Sequence, residues 1–364
     1  MNPLNRSTLI IGAGAHHEYD MPTSNELLKS IQGLRSVGTL TEDTFLYKDD
    51  ANISFSENSS LRDKINIIDI LQDLPIEAWI QEKLKGQKYN SHFAGRSFER
   101  INLFLELFLG HFCSSHTPSI DSYLSNLAQH PDPYIKELYR ILGKVIIVYY
   151  ISKAENESDL GLRNRGWIHF LISQFILKDP DTFFRNKPQI ITFNYDRLLE
   201  RMIFEHLIYQ HHYKVEDALK LIDSLEIYHV YGSLGPYKTW HSEESIKSSD
   251  YYKNAISKLK VIDEDRSSDQ KKEIIQNIQK RTQHAKYVYF LGYGFDADNN
   301  YLLKNGLYQN IKDKDQEYFT TSVNTNTADA IRIRDTLMNP DFLQKQTITC
   351  QQLVSEVAPL YINV

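Results

Sequence analysis

The chain has only two cysteines, Cys113 and Cys350, and they lie far apart. A structural zinc takes four ligands, ordinarily supplied in closely spaced pairs, so these two cannot build a zinc ribbon and no zinc is expected. Long apolar runs are also missing. The longest internal one, Val145 to Ile151, falls far short of the roughly 20 residues that span a bilayer, which excludes membrane insertion. At the N-terminus the apolar run Thr8 to Ile11 stops at a glycine turn, without the length or the small-residue cleavage site of a signal peptide. The expected location is therefore cytoplasmic, and triplets such as Asn52-Ile53-Ser54 carry no glycosylation message. No field of one charge sign exists either. The net charge of −6 is spread along 364 residues, with no basic region to hold a phosphate backbone by counterion release. Direct binding of nucleic acid is not expected. Internal repeats and low-complexity tracts are absent as well.

What is present is enough apolar sequence, 41% of the chain, for one large domain or two unequal ones. Short β-branched or aromatic runs bounded by turn residues predict strands at Thr8–Ile11, Gln189–Thr192, Ile227–Tyr231, Tyr287–Leu291 and Tyr318–Val323. Helical patterns follow most of the turns, at Asn25–Gln32, Tyr195–Tyr209, Asn300–Tyr308 and Ala328–Leu337. Repeated strand, turn and helix predicts an α/β fold: a Rossmann-like parallel sheet with helices on both faces. Between the first two strands the β signal fades. Phe98, Ile101, Leu105 and Phe108 recur at helical spacing, as do Ile135, Leu138, Leu142, Val145 and Tyr149, then Trp167, Phe170, Leu171 and Phe175. Residues 38–186 are thus expected to form a large helical insertion, and residues 1–37 with 187–364 the sheet domain. The polar stretch Glu42–Ser60 predicts a loop, and a second one, Asp263–Lys272, leads into a helical pattern at Ile274–Thr282.

Four strand ends gather residues able to do chemistry. The first strand runs into Gly12-Ala13-Gly14-Ala15-His16-His17, where glycines allow a tight turn and close approach to a pyrophosphate. His17 occupies the place of the third glycine of the dehydrogenase fingerprint, and no acidic strand end follows at the right distance, which disfavours a dehydrogenase. A tight turn without any ligand explains the two glycines equally well. The second strand empties into Phe193-Asn194-Tyr195-Asp196-Arg197, so that Asn194 and Asp196 fall where open parallel sheets bind ligands. Either residue is equally suited to capping the next helix. In the third segment, Ile227-Tyr228-His229-Val230-Tyr231-Gly232-Ser233, alternation puts His229 and Tyr231 on one face, where packing roles compete with chemical ones. The fourth, Leu291-Gly292-Tyr293-Gly294-Phe295-Asp296-Ala297-Asp298, reads as a glycine turn with an N-cap at Asp298 or as a ligand edge.

In this order the four segments resemble the sirtuin-like superfamily, which carries a Gly-Ala-Gly turn, a Thr-x-Asn-Tyr-Asp segment, a His-Gly-Ser segment and a Gly-Tyr-Ser-type turn. The resemblance spans roughly residues 7–36 and 187–340, and the Asn-Tyr-Asp form looks like the branch of NAD hydrolases from bacterial antiphage defence. It implies that Gly12, Ala13 and Gly14 meet the pyrophosphate of NAD, and that Met21, Pro22 and Thr23 close over the nicotinamide. It implies that Asn194 holds the ribose and the attacking water, that Asp196 orders the site, and that Gly292 and Tyr293 lie beneath the dinucleotide. Asn324 would meet the adenosine ribose. The sequence departs from the family at one place. The family histidine directly precedes Gly-Ser, and here Tyr231 stands before Gly232-Ser233, with His229 two residues earlier. Either His229 reaches the ribose from the same strand face or the site has lost its base. His16 stands where the sirtuin pattern prefers serine, which would bring it to the border of the cofactor.

The activity implied is cleavage of the nicotinamide–ribose bond of NAD, the substrate, to nicotinamide and ADP-ribose. Water held by Asn194 attacks, and His229 accepts a proton. Such an enzyme needs gating, and the resemblance implies an abortive-infection effector with a partner protein, an ATPase or a sensor. The aromatic-rich insertion is the expected surface for that partner or for a homo-oligomer. Two rivals are a non-catalytic sensor of NAD or ADP-ribose, favoured by Tyr231, and a protein deacylase, which lacks its zinc module here.

Overall fold

The computed structural model describes residues 3–40, 59–85, 98–157, 166–237, 248–260, 268–295, 297–307, 317–321 and 349–354. Five strands appear among them: β1 (Ser7–Ile11), β2 (Gln189–Thr192), β3 (Tyr228–His229), β4 (Tyr287–Leu291) and β5 (Glu317–Thr320). All pair in parallel, in the order β3-β2-β1-β4-β5. At the centre, Ile10 of β1 lies in register with Ile191 of β2 and Phe290 of β4. Every residue of β1 is buried, and so are the last four of β4. Successive side chains of a strand point to opposite faces, so both faces of this sheet are covered. This is an α/β Rossmann-like fold. The chain builds outward from β1 through β2 to β3, then crosses to β4 and β5 on the other side. The reversal puts the carboxyl ends of β1 and β4 at the point where such sheets bind ligands.

The expected strands at Gln189–Thr192 and Tyr287–Leu291 are found as predicted, and the first begins one residue earlier, at Ser7. The third is shorter than its apolar pattern. Val230 N–H still donates to Thr192 O at 2.9 Å, but the next carbonyl, that of Tyr231, accepts from Lys260 N instead. The fifth starts at Glu317, and the end of its predicted range lies outside the described residues, as do Ala328–Leu337 and most of Glu42–Ser60. The helix after β2 begins at Leu198 rather than Tyr195, because Asn194 to Arg197 form a turn. Asp298 is not an N-cap: the helix Ala297–Leu307 already contains it.

The chain divides into two compact units, one made of Met1–Met21, Glu157–Val230 and Arg266–Val364, the other of Pro22–Asn156 and Tyr231–Asp265. These limits differ from the expected 38–186 insertion at both ends. The helix Ser24–Ser36 buries Leu27, Ile31 and Leu34 against the helices Ser59–Asp73 and Phe98–Ser114, so it joins the helical unit. Trp167 to Arg185 go the other way and join the sheet unit. An apolar stripe states that a helix face is buried, but not against what. Within the helical unit the predicted spacing holds. Phe98, Ile101, Leu105 and Phe108 are all buried on the helix Phe98–Ser114. The helix Pro133–Glu157 buries every residue from Val145 to Ile151, the behaviour of a core helix apolar all round. Among the described residues no helix is long and apolar enough to cross a membrane.

Back in the sheet unit, the turns after β1 and β4 meet backbone to backbone. Gly14 N–H donates to Gly292 O at 3.0 Å, and Gly12 N–H to Leu291 O at 2.9 Å. A Cβ on Gly12 or Gly14 would lie 2.7 or 2.9 Å from Gly292 O, and one on Gly292, at φ +56°, only 1.8 Å from Ala15 N. Glycine is required here by packing, whatever ligand the turn also meets. Gly292→Ala is expected to cost more than about 3 kcal/mol of unfolding free energy in urea titration, combining backbone strain with the clash. Gly294→Ala, with nothing within 4 Å of the added carbon, should shift it by no more than about 1 kcal/mol.

Candidate functional site

Where β2 ends, Thr192 Oγ1 accepts from Asn194 N at 3.1 Å and bends the chain out of the strand. The bend carries Asn194 to the turn after β1, where its Nδ2 donates to Gly12 O at 3.3 Å. That carbonyl fixes which way the amide points, since only the nitrogen can donate to it. Oδ1 of Asn194 is left buried without a hydrogen-bond partner. Asn194 therefore does not cap the following helix. Asp196 does part of that work, because its Oδ1 accepts from Leu198 N at 3.1 Å.

The same carboxylate oxygen lies 2.7 Å from His16 Nδ1. Both side chains are buried, at 3% and 6% exposure. Burial alone would raise the Asp196 pKa, but its pairing with His16, the Leu198 amide and the more distant His229 together bring it below the ordinary carboxylate range. An ionised carboxylate offers only lone pairs, so the proton between the two groups belongs to His16 Nδ1. His16 Nε2 is then the open ring nitrogen, and it is buried with no hydrogen-bond partner. Asn194 Nδ2 lies 3.2 Å from the same Nδ1, so the three side chains form one cluster.

Trp167 walls this cluster. Its indole lies parallel to the His16 ring, with centroids 6.1 Å apart and planes 11° apart, and its Nε1–H donates to Ala15 O at 2.9 Å. The main chain beyond is held too: Trp167 N donates to Glu18 Oε1 and Ile168 N to Tyr19 OH, each at 2.9 Å. Burial raises the Glu18 pKa, opposed by the Trp167 amide and by His16.

His229 sits on β3, but neither ring nitrogen is open. Nδ1–H donates to the backbone oxygen of Asn194 at 3.1 Å and Nε2–H to Glu200 Oε1 at 3.0 Å. Burial would lower its pKa, yet the Glu200 carboxylate, the Asn194 carbonyl and Asp196 raise it above the usual value. A ring that donates from both nitrogens is an imidazolium with no lone pair to offer. The expected role of His229 as proton acceptor does not suit this geometry, which has it brace the Asn194 backbone. Glu200, in the first turn of the helix Leu198–Tyr209, was not foreseen as its partner. Trp167 was foreseen only as helical core.

Of the other residues singled out, Gly12, Ala13, Gly14, Gly292 and Tyr293 gather at the ends of β1 and β4. Tyr293 is buried edge-on to Phe193, at 5.2 Å between centroids. Met21 is buried, and its N–H donates to His16 O at 3.3 Å. Pro22, Thr23, Tyr231 and Gly232 fall in the helical unit. Thr23 is the N-cap of the helix Ser24–Ser36, in a capping box with Glu26. Gly232, at φ +72°, is required by the Lys258 carbonyl, which would lie 2.0 Å from a Cβ there. Asn324 lies outside the described residues. Among the described residues no three His, Cys, Asp or Glu side chains are grouped to hold a metal ion.

Residues 188–349 match the family model of the SIR2-like domain. That stretch is similar to SIR2-like domains. No curated protein and no solved structure matches the chain. The SIR2-like match takes in Asn194, Asp196, Glu200, His229 and Gly292, whereas Gly12, Gly14 and His16 precede it in the chain and meet it in the folded sheet unit. SIR2-like domains use NAD. The residues present fit that ligand class. Asn194 Oδ1 and His16 Nε2 are buried polar atoms without hydrogen-bond partners at the carboxyl edge of the sheet, and hydroxyl groups or water would satisfy both.

The His229–Glu200 pair ties stability to pH. The folded His229 pKa is raised above the unfolded value of about 6.5, so its contribution is full below that pH and is lost as pH climbs through the folded value. Glu200→Gln is expected to lower unfolding free energy by about 1–3 kcal/mol at pH 6, and by distinctly less at pH 9, in parallel denaturant titrations.

Proposed function

We propose that this chain is an NAD hydrolase that cleaves the nicotinamide–ribose bond and releases nicotinamide and ADP-ribose. The observation that carries the reading is the meeting of Asn194, Asp196 and the Gly12 turn at the switch point of a SIR2-like sheet, with the Asn194 amide oxygen buried and unpartnered. Asn194 is anchored through its nitrogen and its backbone, so its oxygen is left to orient a water or a ribose hydroxyl. Asp196 is ionised and supplies negative charge where positive charge grows on the ribose as the bond opens. Buried apolar and aromatic walls, among them Phe193, Tyr293 and Trp167, keep bulk water from the reacting carbon.

An enzyme that destroys NAD must be held in check in its own cell. The resemblance to antiphage NAD hydrolases supports a cytoplasmic effector that depletes NAD in abortive infection and is gated by homo-oligomer assembly or by an ATPase or sensor partner. A second reading is a sensor that binds NAD or ADP-ribose without turnover. It is favoured by Tyr231 in the place of the family histidine and by the fully hydrogen-bonded ring of His229. A deacylase is the weakest of the three.

The deciding assay is nicotinamide release from NAD by the purified chain, alone and with lysate of phage-infected cells. Asn194→Ala is expected to lower the rate by at least about 10²-fold with the fold retained by circular dichroism. NAD bound without release under either condition would favour the sensor.

A further inference from the structure

We propose that His16, oriented by Asp196, is the general base of this site and takes the place that the family histidine leaves empty. The inference rests on the hydrolase reading above and assigns the proton acceptor within it. Tyr231 stands at the family position and is a poor base, and His229 has donated both ring protons. Asp196 already accepts two hydrogen bonds through one oxygen. His16 is the buried imidazole with a carboxylate at one nitrogen and no partner at the other. This is the arrangement in which an acid fixes the tautomer and supports the imidazolium that forms.

Its neighbour completes the geometry. His16 and Asn194 touch, and each keeps one buried acceptor without a hydrogen-bond partner: Nε2 on the first, Oδ1 on the second. A single water has two O–H donors, one for each, and keeps its lone pairs for attack. In the step assigned, the water oxygen bonds to C1′ of the nicotinamide ribose while the C1′–nitrogen bond breaks. The bonding pair leaves with nicotinamide and neutralises its ring charge. One water proton passes to His16 Nε2, and Asp196 holds the resulting cation until the proton returns to solvent. Atoms and charge balance: NAD⁺ and water give nicotinamide, ADP-ribose and H⁺. Charged groups facing His16 among the described residues include the carboxylates of Asp196 and Glu18, while Asn194 and Trp167 beside it do not titrate.

The test uses the full chain under the conditions in which it releases nicotinamide, and compares His16→Gln, His16→Ala, Asp196→Asn and Asn194→Ala with the parent. His16→Gln is expected to lower kcat by about 10²–10⁴-fold with KM for NAD changed only a few-fold. Added imidazole should restore part of the rate to His16→Ala and none to Asn194→Ala. If both His16 variants melt early, Asp196→Asn decides, because it reverses the tautomer and should depress kcat while NAD still binds. Unchanged kcat in a folded His16→Gln overturns the assignment and leaves the hydrolase reading standing. A parent chain that binds NAD and never releases nicotinamide overturns both.

Discussion

Two bare backbones in contact set the geometry of this molecule's chemical edge. The turn after β1 and the turn after β4 approach so closely that a Cβ on Gly292 would fall on Ala15 N. Gly12 and Gly14 are glycines for the same reason. Because the turn after β1 is pinned there, the Gly12 carbonyl is in place to hold the Asn194 amide, and His16 four residues on is in place to meet Asp196. Everything proposed for the site hangs from this contact at the switch point of the sheet.

Electrostatics then sort two histidines into different roles. His16 is buried and His229 largely so, and what decides between them is the set of partners. His229 faces two acceptors and must donate twice, which makes it a cation braced against the backbone of Asn194. His16 faces one carboxylate and keeps a lone pair. Removing one member of a buried ion pair costs about 3–5 kcal/mol, so such pairs are costly unless all their partners are present. The cluster that links His16, Asp196 and Asn194 leaves two acceptors open on that background, and those two are where a ligand has something to gain.

The SIR2-like match begins just before β2 and so omits β1, yet β1 is the central strand and brings the glycine turn and His16. A reading confined to the matched stretch would contain Asn194 and Asp196 without the group they touch. The helical unit is a separate construction, with its own core around the helix Pro133–Glu157. It takes in Thr23 as a helix cap, a position that the family resemblance reads as closing over the nicotinamide, and Gly232 as a packing residue.

By itself the sequence determined the periodic and local features: a parallel α/β sheet, the strands Gln189–Thr192 and Tyr287–Leu291, the buried stripe of Phe98–Ser114, and the candidacy of Asn194 and Asp196. Period, turn chemistry and strand-end position are properties of neighbours in the chain, so a single sequence displays them. Tertiary structure alone decided which unit claimed the helix Ser24–Ser36, where β3 stopped, that Glu200 would saturate His229, and that Trp167 would stack on His16. Each of those depends on residues distant in sequence, His16 and Asp196 by 180 positions, and no local pattern records which acceptor a buried nitrogen will find.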